Sequence, residues 1–149
     1  MITIRQASVT DAQFIIDFQL FMAKETENLD LVPGIVTKGV EAVFQDLNKG
    51  IYFVAEFENK VVASLMITYE WSDWRNGNVW WIQSVYVLPE VRRMGIFRQM
   101  YSYLKNIVEN DVNLRGLRLY VDKTNTKAQK VYQEMGMNGE HYQLFEWMK

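Results

Sequence analysis

The sequence predicts an α+β fold in the element order βααβββαβαβ, and three observations predict it. Three consecutive segments, 51–57, 60–71 and 78–88, read as strands, the last carrying VWWIQSVYVL, a nearly continuous apolar run of the kind buried on both faces. Phe97, Met100, Tyr101, Leu104 and Val108 fall at i, i+3, i+4, i+7 and i+11, which predicts a helix over 95–109. A chain of 149 residues, 49% hydrophobic and 14% aromatic, can bury one sizeable core and has no linker long enough to divide it, so a single domain over 1–149 is expected.

The remaining elements follow in order. Residues 2–5 read as a short strand, and Thr10 with Gln13 three residues on forms a capping box that opens a helix ending near Glu27. Residues 28–34, with Pro33, break it, and a second helix is expected over 37–47. Glu58-Asn59 joins the first two central strands, and Asn76-Gly77 is a hairpin turn signal between the second and third. Residues 117–121 read as a strand. Ala128, Val131, Tyr132 and Met135 then repeat the helical spacing, with Thr126 and Gln129 as a capping box and Gly136 as a C-terminal cap. A last strand is expected over 143–148.

Composition removes several function classes. With no cysteine there is no disulfide, thiolate metal site or cysteine nucleophile, and the single His141 leaves little for a histidine metal site or triad, so no metal is expected. No stretch approaches the ~20 apolar residues of a membrane span, and the first residues do not resemble a signal peptide, so a cytoplasmic location without membrane association is expected. Charge is uneven: residues 1–91 carry 6 Lys+Arg against 12 Asp+Glu, residues 92–130 carry 9 against 3. Such asymmetry suits an anionic ligand on the basic part and a cationic one on the acidic part, or reflects ordinary solvated helix faces. An acidic chain without an aromatic-basic platform argues against nucleic acid as a partner.

Two segments carry the chemistry. VYVLPEVRRMGIFRQMYSYL runs from a buried strand through Pro89 and two arginines into a helix, bringing the first amides of that helix beside cationic side chains, an arrangement that suits a pyrophosphate. In LYVDKTNTKAQKVYQEMGM, Asn125, Ala128 and Tyr132 lie at i, i+3 and i+7 on one helical face. Taken singly, Asn125 also reads as a helix cap and Tyr132 as a core tyrosine.

Together the segments resemble the GCN5-related N-acetyltransferase (GNAT) family. Its pattern of Arg or Gln, two residues, Gly, one residue, then Gly or Ala is similar to Arg92, Gly95 and, with a departure, Phe97. Its second pattern of Asn, Ala, Tyr and Gly followed by Phe or Met is met by Asn125, Ala128, Tyr132, Gly136 and Met137. The resemblance covers residues 51–148 well and the first third in element order. It implies a three-layer α/β/α acyl-CoA acyltransferase fold with a central, mostly antiparallel twisted sheet, about four helices, and acetyl-CoA as cofactor. By the same resemblance the backbone of Val85, Tyr86 and Val87 pairs with the pantetheine arm, and Arg92, Arg93, Met94, Gly95, Ile96, Phe97 and Arg98 cradle the pyrophosphate, with Asn125, Ala128 and Tyr132 completing the cofactor site. The polar pair Gln83-Ser84 stands where the family often places a bulge in this strand. Phe97 is accommodated if its ring points inward with Met100, Tyr101 and Leu104.

The implied reaction is direct attack of a primary amine on the thioester in a ternary complex, with Tyr132 serving the departing thiolate and Glu27 or Glu70 as base. A non-catalytic acyl-CoA-binding regulatory module on the same fold is the alternative. Four of the five tryptophans lie in YEWSDWRNGNVWW. This stretch, with Glu25, Glu27, Glu70, Trp71, Asp73 and Trp81, is expected to border the site of a small cationic amine acceptor. A homodimer contact through the same aromatics is the competing account.

Overall fold

The computed structural model describes residues 1–149. Two compact units make up the chain, Met1–Arg118 and Leu119–Lys149. The first holds five strands and three helices: β1 (Ile2–Gln6), α1 (Ala12–Glu27), α2 (Pro33–Gln45), β2 (Ile51–Phe57), β3 (Lys60–Ser72), β4 (Gly77–Val87), α3 (Ile96–Asn110) and β5 (Leu114–Arg118). The second holds α4 (Thr126–Glu134). Strands lie in the order β1-β2-β3-β4-β5, antiparallel except for the parallel β4–β5 pair. Four helices and a mixed five-stranded sheet give the α+β architecture expected from the sequence.

Register decides which side chains share a face. Tyr52 pairs with Met66 and Val54 with Ser64, while Ser64 pairs with Tyr86 and Thr68 with Trp81, so these residues line one face. There Ile15, Ile16 and Phe18 of α1 and Val40 and Val43 of α2 pack on Tyr52, Val54 and Tyr86. Phe53 and Trp80 point to the opposite face, where Phe53 meets Tyr103 of α3 edge-on at 6.0 Å between ring centroids. Ile96, Met100, Tyr101 and Leu104 form the buried stripe of α3.

Several local expectations are corrected. The reciprocal bond before α1 belongs to Ser8 and Asp11, the Ser8 amide donating to Asp11 Oδ2 at 2.8 Å, because a 3₁₀ turn over Val9–Asp11 precedes the helix. Helix α2 begins at Pro33, which sits in its first turn, where a missing N–H costs nothing. The hairpin signalled by Asn76-Gly77 is present: Ser72 pairs with Gly77, so the four residues 73–76 make the connection, and Asn76 takes a left-handed φ of 50° at its end. Strand β5 lies three residues earlier than expected, where Leu114 to Arg118 follow Asn78 to Trp81 in parallel register. Residues 143–148 form no strand: alternation supplies a pattern, but a strand exists only where a neighbouring backbone completes its ladder.

Candidate active site

Strand β4 changes character halfway along. Ser64 pairs with Tyr86 but Met66 with Gln83, so Ser84 and Val85 together oppose Leu65 in a β-bulge, and Ser84 takes a left-handed φ of 52°. The Gln83 side-chain Nε2 donates to the Thr68 hydroxyl on the near side of the bulge. The last β4–β5 pair is Trp81 with Arg118, so from Ile82 to Val87 no β5 residue pairs with that edge of β4. This stretch includes Val85, Tyr86 and Val87, and its backbone can receive an extended, amide-bearing chain as an added strand would.

A 3₁₀ turn at Pro89–Val91 then leads into the start of α3. Arg93 (φ 69°) and Gly95 (φ 74°) are both left-handed and flank Met94, turning the chain sharply so that Ile96 opens the helix. At Gly95 an added Cβ meets nothing within 4 Å, so conformation rather than space favours glycine there. The first-turn amides, Ile96 to Arg98, have no helical carbonyl one turn back; the Gln99 amide is the first to find one, at Gly95 O, 3.0 Å away. Phe97 is half-buried beside the buried stripe of α3, as its inward spacing requires.

Arg92 does something other than wait for an anion. Its Nη2 donates to Glu25 Oε2 at 2.7 Å, its Nε donates to Val87 O at 2.9 Å, and its guanidinium lies 5.4 Å from the centre of the Tyr86 ring. The Tyr86 hydroxyl donates to the other Glu25 oxygen at 2.9 Å. The Arg92 hydrogen bond holds the Glu25 carboxyl below its usual range, and desolvation, followed by the Glu25 bond, pushes the Tyr86 phenol up to about 12. Arg92 therefore braces the loop against α1, and Glu25 is neutralised rather than open to a cation. Met22, Glu25 and Thr26 of α1, with Val85, Tyr86, Val87 and Arg92, line an open cleft of about 350 Å³.

Glu70 is also engaged. Trp81 Nε1 donates to its Oε1 at 2.7 Å, and Arg118 Nη1 donates to both of its oxygens at 2.9 and 2.8 Å. The Trp81 bond and then Arg118 hold this carboxyl below its ordinary range, which makes it a weak proton acceptor. The tryptophans do not gather. Adjacent strand residues point to opposite faces, so Trp80 enters the α3 face, 8% exposed, while Trp81 joins Glu70 on the other. Trp71 is 61% exposed, and Trp74, at the tip of the turn beside Asp73, is 92% exposed. Glu27, the last residue of α1, is exposed and carries no ion pair.

In the second unit, Asn125 caps α4, its Oδ1 accepting from the Ala128 amide at 3.1 Å. The expected Thr126–Gln129 box is replaced by this cap, and the Gln129 side chain turns back to the carbonyls of Asp122 and Lys123. Gly136, with φ 89°, ends the helix: its amide donates to Gln133 O and the Met137 amide to Tyr132 O, both at 3.0 Å. Ala128 and Tyr132 are half-buried on one face, and burial pushes the Tyr132 phenol up.

Residues 21–137 match the family model described as "Acetyltransferase (GNAT) family". The chain belongs to the GNAT family. A solved structure of "a possible acetyltransferase from Clostridium difficile 630" is 47% identical and superposes with a TM-score of 0.92, covering 100% of this chain and 98% of that one. At 19% identity and TM-score 0.75, a "predicted acetyltransferase with acetyl-CoA from Clostridium acetobutylicum" shares the fold over 98% of this chain and 96% of that one. So does AAC(6')-Iy "in complex with bisubstrate analog CoA-S-monomethyl-acetylneamine", at 18% identity and TM-score 0.77, covering 100% and 99%. No curated protein matches the chain.

Acetyl-CoA is the cofactor of this GNAT protein, and the residues present fit it. The left-handed Arg93 and Gly95 turn the chain into the start of α3, a helix N-terminus of a kind that suits an anion, and the β4 edge beyond the bulge has a backbone that could pair with pantetheine amides. Sequence reasoning missed Met22 and Thr26. They stand at i and i+4 with Glu25 between them, a spacing that places all three on one helical face and could have revealed them. Arg118 carried no such signal, because its link to Glu70 exists only through the β4–β5 register.

Proposed function

We propose that this protein transfers the acetyl group of acetyl-CoA to a primary amine of a small cationic acceptor, by direct attack in a ternary complex within one catalytic domain. The observation that carries the reading is the bulged β4 leading into the left-handed turn at the start of α3, a backbone site for an extended thiol-linked arm and its phosphates. Bound acetyl-CoA supplies an acyl group already activated as a thioester. The chain has no cysteine to form a thioester of its own, so its task is to hold both substrates and to move protons.

An attacking amine has to be neutral. Glu70, tied to Arg118 and Trp81, is the poorer base of the two carboxylates, and the unpaired Glu27 takes the proton directly or through water. Tyr132, kept protonated by burial, donates to the departing thiolate; its place in the Asn-Ala-Tyr spacing supports this role. With Glu25 and Glu70 neutralised by arginines, Glu27 and Asp73 are the acidic groups left to attract the acceptor's charge. Family membership over residues 21–137 supports the single catalytic domain.

The test is thiol release from acetyl-CoA against a library of amines, with Tyr132→Phe as the variant. Wild-type turnover with at least one amine is expected. Loss of the hydroxyl should lower kcat by roughly ten- to a hundredfold, within a general acid's usual contribution of about 10²–10⁴, while acetyl-CoA binding persists. Binding with no turnover by any amine would instead mark a regulatory module.

A further inference from the structure

Segment 142–148, YQLFEWM, holds five large apolar side chains in water. Tyr142, Phe145 and Trp147 are 84%, 86% and 86% exposed, and Leu144 and Met148 are exposed as well. No residue of the unit Leu119–Lys149 is buried, α4 included, so this unit has no core of its own to take them in. Apolar surface gathered in this way marks a contact. The sheet has an edge to match. Strand β5 (Leu114–Arg118) ends the strand order, paired with β4 on one side and with no strand on the other, so its outer backbone groups are open to a further strand. Leu117 pairs with Trp80 and shares its face, whereas Gly116 and Arg118 pair with Val79 and Trp81 and share the opposite one. Strand residues point to the two faces in turn. A strand that sets Phe145 and Trp147 on the side of Leu117 therefore sets Glu146 on the side of Arg118. One choice of face suits both the aromatic pair and the carboxylate.

We infer that segment 142–148 is a dimerisation arm, which adds as a strand to the outer edge of β5 in a second copy of this chain and receives that copy's arm in return. Within one chain the segment forms no ladder. A reciprocal exchange gives two arms two edges and closes about a two-fold axis, so that neither edge stays open. Area agrees. A large aromatic side chain covers about 150–250 Å² when buried, so the three aromatics of each arm still have roughly 400–600 Å² to lose. With the surfaces that cover them, two arms remove on the order of 1,600–2,400 Å² from water, more than the ~1,200 Å² at which specific interfaces begin. The arm does not depend on the proposed function, since it uses none of the residues assigned to acetyl-CoA or its acceptor.

Size-exclusion chromatography with light scattering, together with amide hydrogen exchange, tests the arm in the full chain. The wild-type protein is expected at twice the 17.6 kDa of one chain, with amides of 142–148 protected. Phe145→Asp combined with Trp147→Asp should return a monomer whose arm exchanges freely. Both side chains are exposed in the single chain, so the change disturbs no core, and circular dichroism checks that the variant is folded. Glu146→Lys, a milder change, sets like charge beside Arg118 and should weaken the dimer about tenfold or more at low salt and less at high salt. A wild-type monomer, or a dimer whose amides over 142–148 exchange freely, overturns the arm. A dimer that survives the double substitution overturns it too and moves the contact elsewhere, as to the exposed Trp71 and Trp74. A dimer indifferent to Glu146→Lys overturns the choice of face.

Discussion

Arg92 and Arg93 are neighbours in sequence with the same charge, yet the fold gives them different work. Arg92 extends back to Glu25, Val87 and Tyr86, while Arg93 is held left-handed in the turn, exposed and without an ion pair. Arg93→Ala is expected to weaken acetyl-CoA binding by about tenfold or more, the loss of one charge-assisted hydrogen bond at about 1.5–3 kcal/mol, and to flatten the salt dependence of binding. Arg92→Ala should leave the salt slope close to that of wild type and weaken binding indirectly, by releasing the brace between α1 and the loop. Calorimetry at two ionic strengths separates them; equal slopes for both variants would mean that Arg92 meets phosphate as well. The sequence showed that two cations precede a helix. It could not show that one of them is matched by a carboxylate 67 positions away, because that partner is chosen by packing. Glu70 and Arg118, 48 positions apart, were hidden for the same reason. The separation of Trp80 from Trp81 is different: adjacent residues of a strand always face opposite ways, so that much was legible in the residues themselves.

At the scale of elements, local signals were read well where the chain itself supplies them. The helical stripe of α3 and the span Ile51–Phe57 rest on periodicity, and both stand as expected. Misplaced boundaries lie where a competing contact wins: Asp11 over Gln13 in the reciprocal bond, which closes the 3₁₀ turn before α1, Asn125 over Thr126 in capping α4, and the β4 register over apolar content in setting β5. The bulge at Ser84 links this scale to the site, because it lies within the stretch of β4 beyond Trp81 that has no β5 partner. A side chain there occupies φ 52°, a region that a β-branched residue resists. Ser84→Val should therefore cost about 1–3 kcal/mol of stability in chemical denaturation, and Ser84→Gly much less. Equal losses for the two would show that the serine hydroxyl, not the backbone, fixes the bulge.

For the whole molecule, the carboxylates decide how stability responds to acid. Asp11 is 4% exposed and accepts from Arg5 Nη1 at 2.7 Å, from Arg5 Nη2 at 3.0 Å and from the Ser8 amide, and these bonds, Arg5's first, hold its carboxyl below the ordinary 3.8. Glu25 and Glu70 are likewise held below the ordinary 4.5. A carboxyl whose folded-state pKa is depressed stabilises the fold fully above its unfolded value, and that contribution is lost as pH falls through the folded one. The protein carries 16 Lys+Arg against 18 Asp+Glu, so acid also converts a nearly neutral chain into a strongly cationic, self-repelling one. Unfolding free energy should thus be nearly level from about pH 6 to 8 and decline below about pH 5. Asp11→Asn should cost about 1.5–3 kcal/mol at pH 7, because Arg5 loses its charged acceptor and the Ser8 amide a strong one. Below the folded-state pKa of Asp11, wild type has itself lost that charge. The two denaturation curves should therefore converge as pH falls from 5 towards 3, whereas a constant offset across that range would show that Asp11 contributes shape and not charge.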